Sequence, residues 1–74
     1  MPELPHISGN EAIKVFQQLG FRVVRQKGSH AVLRRGSFGC VIPLHKEIAI
    51  GTLRGAIRQS GITTEDFVRA YKNL

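Results

Sequence analysis

The sequence predicts an α+β domain in the order α-β-β-β-α-α, with helices covering one face of a three-stranded antiparallel sheet. Three observations carry that expectation. Apolar residues recur at helical spacing from Ala12 to Leu19, the middle of the chain breaks into short β-rich runs, and helical spacing returns from Leu53 onward. Turns as short as those between the β-rich runs join only antiparallel neighbours. A small sheet must bury one face under helices to acquire a core. The chain has 74 residues, which fits a single domain spanning 1–74, close to the lower size at which one apolar core sustains a fold.

Each element has a local reason. Ser8-Gly9-Asn10-Glu11 reads as a capping box ahead of a helix from about residue 9 to 19, and Gly20 supplies its left-handed stop. Phe21 to Gln26 makes a loosely alternating first strand, and Lys27-Gly28-Ser29 turns into a second strand over His30 to Arg34. Arg35-Gly36-Ser37 turns again into Phe38 to Ile42, and Pro43 ends that third strand. Thr52 is expected to cap a helix carrying Leu53, Ala56 and Ile57 and closed by Gly61. Thr63 with Asp66 starts a final helix, stapled by Ile62 and Phe67 and apolar at Phe67, Val68 and Tyr71. In the second strand Ala31 and Leu33 share one side, and His30, Val32 and Arg34 share the other. With Ala31 and Leu33 toward the helices, His30 and Arg34 project from the bare face; a one-residue slip reverses this.

Charge narrows the function. Eleven Lys and Arg stand against five Asp and Glu, for a net +6. Residues 21–46 carry that whole excess as Arg22, Arg25, Lys27, Arg34, Arg35 and Lys46 without one acid, while the two flanks nearly balance. A block of this kind focuses field on one surface and steers a polyanion there, first of all nucleic acid; strands also carry cations merely to discourage edge pairing. No apolar run approaches the ~20 residues of a membrane helix. Met-Pro-Glu-Leu lacks the regions of a signal peptide, and the lone Cys40 has no internal disulfide partner, so a reducing, cytoplasmic setting is expected. The histidines at 6, 30 and 45 have no metal-ligand spacing, and no phosphate loop, nucleophile elbow or carboxylate pair appears; no metal and no cofactor is expected.

Among residues able to do chemistry, His30 stands at a strand start inside the acid-free block. Imidazole exchanges protons near neutral pH. RNA supplies its own nucleophile, the 2′-hydroxyl, so its cleavage needs a base and stabilisation of the phosphorane charge. Arg25, Lys27 and Arg34 are near enough in sequence for the second task, and the Gly28 and Ser29 N–H groups can reach a phosphate. On the residues alone, His30 reads first as an idle histidine on a polar strand face, hydrogen-bonded to a neighbour. His45 is a candidate general acid or a solvated loop residue. Thr52-Leu53-Arg54 offers a hydroxyl and a cation at a helix start, for a phosphate or as an ordinary cap. His6 belongs to an N-terminal segment expected to be loose. Cys40 is expected to act as a small core residue.

Taken together, Ser8-Gly9, Leu19-Gly20-Phe21, Arg25-Gln26-Lys27-Gly28-Ser29-His30, Ile42-Pro43-Leu44-His45, Gly51-Thr52-Leu53-Arg54 and Ser60-Gly61-Ile62 resemble the HicA toxins of HicAB toxin–antitoxin pairs. The resemblance covers nearly the whole chain. It implies a double-stranded-RNA-binding-domain-like fold and an mRNA interferase, an endoribonuclease that cleaves transcripts until a HicB-type antitoxin masks it; the leading expectation for this chain is a metal-independent enzyme acting on single-stranded mRNA. It places the family's catalytic histidine on His30 and the preceding Gly-Ser on Gly28 and Ser29, and gives His45 no firm role. The loop from Leu44 to Ile50 departs from the family in being apolar where a lysine-rich loop is usual, leaving antitoxin contact or packing on the helix as its use. Against the nuclease stand a module of the same fold that binds RNA without cutting it, and a chain that works mainly by docking its basic face on an acidic protein.

Overall fold

Ser8 starts the first helix by the chemistry its spacing dictates. In the computed structural model, which describes residues 3–74, α1 (Gly9–Gln18) opens on a complete capping box. The Glu11 N–H donates to the Ser8 hydroxyl at 3.1 Å, and the Ser8 N–H donates to the Glu11 carboxylate at 2.9 Å. Three strands follow: β1 (Arg22–Lys27), β2 (His30–Arg35) and β3 (Phe38–Pro43), antiparallel in the order β1-β2-β3. Gly28 and Gly36 open the two turns with φ of 58° and 60°, the left-handed backbone that short hairpins need. Then come α2 (Ile50–Ser60) and α3 (Thr64–Lys72). Gly61 closes α2 at φ 78°, and the Thr63 hydroxyl accepts the Asp66 N–H at 3.0 Å to start α3.

The element order is therefore the expected one, and so is the facing of the sheet. Ala31, Leu33, Cys40 and Ile42 are buried against Val15 and Phe16 of α1, Leu53 and Ile57 of α2, and Phe67 of α3. Phe16 stands edge-on to Phe21 at 5.3 Å and tilts against Phe67 at 5.4 Å, tying both outer helices to the start of the sheet. Cys40 is a core residue; burial pushes its thiol up to about 11, far from the reactive thiolate.

Two expectations fail for the same reason. Thr52 does not cap α2, which begins earlier, at Ile50, with Ala49 in the cap position and no side-chain cap. The N-terminal segment is not loose, since Leu4 and Ile7 are buried and the Ile48 N–H donates to the Ile7 carbonyl at 2.8 Å. In both places burial of apolar side chains decides: at α2 it outweighs a cap signal worth about 1 kcal/mol, and ahead of α1 it holds a segment that carries no helix or strand signal of its own. Ile48 is only 1% exposed and Ile50 packs against the core, so these apolar loop residues are used in packing.

Candidate functional site

Strand pairing builds the uncovered face row by row. Lys27 lies opposite His30, which lies opposite Pro43; Arg25 lies opposite Val32, which lies opposite Val41; Arg22 lies opposite Arg34, which lies opposite Gly39. Directly paired residues share a face, and because Ala31 and Leu33 are buried under the helices, His30, Val32, Arg34 and their partners lie on the other face, with Pro43 itself buried at the end of its row. The pairing of β1 shifts between Val23 and Arg25, where Val24 is an extra, unpaired residue. This bulge places Arg22 on the same face as Arg25 and Lys27, although strict alternation sends it to the other side. Sequence reading misses Arg22 for that reason; the only signal was the loose alternation of the strand.

His30, Lys27 and Arg25 line one open depression of about 530 Å³, floored by Val32. No carboxylate answers Lys27 or Arg25: among the described residues the carboxylates close to a basic side chain are Glu47, 3.5 Å from His6, and Asp66, 3.9 Å from Arg69. Gly39 keeps the far end low, because a Cβ there would stand 2.7 Å from the Leu33 carbonyl oxygen and 3.3 Å from Arg34 Cγ.

The central charge block is not all on this face. Arg35 points to the helix side, donates to the Leu19 carbonyl at 2.7 Å and lies 4.7 Å over the Phe21 ring. It satisfies a carbonyl left free at the end of α1 and gains a cation–π contact. Lys46 lies in the exposed loop after β3. The outward cations are thus Arg22, Arg25, Lys27 and Arg34.

The Gly28-Ser29 turn is braced from below. The Leu44 N–H donates to the Ser29 carbonyl at 2.6 Å, and the Gly9 N–H donates to the His45 carbonyl at 2.9 Å. Gly9 has to be glycine here: a Cβ would run into the Pro43 carbonyl oxygen and come within 2.8 Å of Leu44 Cα. The start of α1 and the Ser29–His30 hairpin therefore grip the same short segment, and His45 leaves it with an exposed side chain two residues beyond the partner of His30. Arg54 is not brought to this place. It lines a separate depression of about 220 Å³ with Glu3, Leu4, His6 and Ile50, and His6 faces Glu47.

The face thus presents an imidazole to solvent among unpaired cations on a rigid sheet. It can exchange a proton at a bound group while the cations hold that group's negative charge. Among the described residues no group of His, Cys, Asp and Glu side chains is placed to hold a metal ion, and no helix is long and apolar enough to cross a membrane. No curated protein and no solved structure matches the chain. A family comparison does: residues 9–62 match the HicA toxin of bacterial toxin-antitoxin systems. The matched segment runs from the start of α1 past the end of α2 and contains every residue of the outward face. The chain belongs to the HicA toxin family.

Proposed function

We propose that the chain is the toxin of a type II toxin–antitoxin pair, a metal-independent endoribonuclease that cuts single-stranded mRNA in the cytoplasm with His30 as base. The observation that carries this reading is the placement of His30 beside Lys27 and Arg25 in one open depression, with no acid on the face to compete for the substrate. Lys27, Arg25 and Arg34 hold the phosphate charge, and the Gly28-Ser29 turn offers backbone N–H groups beside them. His30 takes the 2′-hydroxyl proton as that oxygen attacks the adjacent phosphorus. The bond to the 5′-oxygen breaks, and the departing oxygen takes up a proton. A positioned base of this kind contributes roughly 10²–10⁴-fold. A HicB-type antitoxin that covers the same basic face would silence the enzyme by excluding RNA.

The test is cleavage of end-labelled RNA by wild-type protein and by His30→Ala and His30→Gln, in excess chelator. Wild-type cleavage persists, and both variants lose at least ~10²-fold while keeping the wild-type melting temperature and RNA affinity. Full activity in a folded His30 variant ends the proposal. Binding without fragments at any wild-type protein ratio makes the chain a non-catalytic RNA-binding module instead.

A further inference from the structure

We propose that Arg22, Arg25 and Lys27 form a track along β1 for three consecutive phosphates of a single-stranded RNA, with Val32 and Val41 as the apolar floor for its bases. The inference rests on the reading of the face as an RNA site and adds which side chains follow the backbone of the strand and which receive its bases. The three cations stand opposite Arg34, Val32 and His30, each pair of rows separated by two residues of β2. Two residues of extended strand advance about 6.6 Å, so the cations' places on β1 follow the rows of β2 at that step, with the bulge bending the run between Arg25 and Arg22.

That run exists because of the bulge. Strict alternation from Lys27 through Arg25 would make Val23 the third outward residue and turn Arg22 under the helices. The extra residue at Val24 exchanges them, setting Val23 opposite the buried Leu33 and Arg22 opposite Arg34. A strand that needed only a core-facing pattern would have no use for a third cation in register with the first two.

Beside the track lies an apolar strip. Val32 pairs with Val41, which is 43% exposed, so the strip runs across the strands from Arg25, and glycine at 39 in the next row leaves it open on one side. In a duplex the phosphates wind around the helix and the bases face inward, which favours recognition by shape. A cation row along one strand with an apolar floor beside it instead suits a strand whose bases are unstacked and free to lie on the sheet. The phosphate at Lys27 is the one beside His30, so the break falls at one end of the track and two further phosphates bind toward Arg22.

The probe is a short fluorescent 2′-O-methyl oligoribonucleotide, whose blocked 2′-oxygen cannot attack. Binding is therefore read whether or not the chain is a nuclease, and a failure of catalysis leaves this measurement intact. Arg22→Gln weakens binding several-fold and makes the slope of log affinity against log salt shallower by about 0.7. The charge-conserving exchange of Arg22→Val with Val23→Arg does the same, because position 23 faces the helix side; both positions are exposed, and circular dichroism melts verify the fold. An exchange variant that binds like wild type overturns the track, since net charge alone would then suffice. Equal affinity for a duplex of the same sequence overturns the single-strand assignment. Tighter binding of polyglutamate with the same dependence on Arg22 overturns the RNA occupant in favour of an acidic protein.

Discussion

Arg34 and Arg35 are neighbours on β2, yet they belong to different parts of the molecule. Arg34 stands on the uncovered face with its stem over Gly39 and no carboxylate near it. Arg35 stacks on Phe21 and holds the Leu19 carbonyl at the end of α1. The same pairing of opposites runs through the sheet: Leu33 is wholly buried while Val41, on the other face, is 43% exposed. One face spends its residues on holding the helices, and the other leaves charge and apolar surface unused by the fold. Residues whose side chains do nothing for stability are the ones available for a ligand.

The covered face supports the open one through Gly9, and the largest effect is expected there. On helix propensity alone, Gly9→Ala gains about 1 kcal/mol. The close approach of Pro43 and Leu44 reverses the sign, because the obstacle is backbone and cannot swing aside. Overpacking costs about 1–3 kcal/mol, and a clash with fixed backbone falls at the upper end, which leaves a net loss of about 2 kcal/mol after the gain in propensity. A thermal melt checks it, and a rise in melting temperature breaks the claim that α1 is seated on the segment that braces His30.

Separating the two arginines gives a smaller, cleaner contrast. Arg35→Gln loses a charged hydrogen bond and a cation–π contact, both partly exposed, for about 1–2 kcal/mol of stability, with RNA affinity nearly unchanged. Arg34→Gln leaves stability within ~0.5 kcal/mol and weakens RNA binding, with a shallower salt dependence. Urea unfolding and an RNA titration on both variants test the pair. If the two substitutions weaken RNA equally, charge acts at long range and the division between faces has no meaning for binding.

Much of this was legible because it is local. Both capping boxes, the two glycine turns and the left-handed stop at Gly61 each depend on residues within four positions of one another, and these sites formed as read. The outward facing of His30 was legible from the alternation of β2, which has one buried side. What was not legible depends on distant partners. Arg35 finds Leu19 sixteen residues away, so nothing near it in sequence marks it as structural. The Val24 bulge reflects which side of β1 must meet Leu33, and a strand read by itself has no such reference. Thr52 looked like a cap because its chemistry is right, but burial of Ile48 and packing of Ile50 set the start of α2 upstream. Leu4 and Ile7, three apart ahead of a cap, were the one available hint that the N-terminal segment packs.

The smallest expected effect concerns the acid limit of the covered side. The Ser8 backbone N–H, and then its hydroxyl, hold the Glu11 carboxyl below its ordinary value of 4.5, since a hydrogen bond to the carboxylate favours the charged form. A carboxyl whose pKa is lower folded than unfolded stabilises the fold above the unfolded value. That contribution fades as pH falls through the folded value, because the unfolded chain takes up the proton first. Glu11→Gln removes this titration while leaving an oxygen to accept the Ser8 N–H. Its stability at neutral pH should sit slightly below that of the wild type, and the gap should close as pH falls through and below 4.5. Urea midpoints from neutral pH down through that window measure the difference directly. A gap that stays constant across the window would mean the capping carboxylate is not linked to folding. A gap that closes places this acid sensitivity at the start of α1, on the covered side of the molecule.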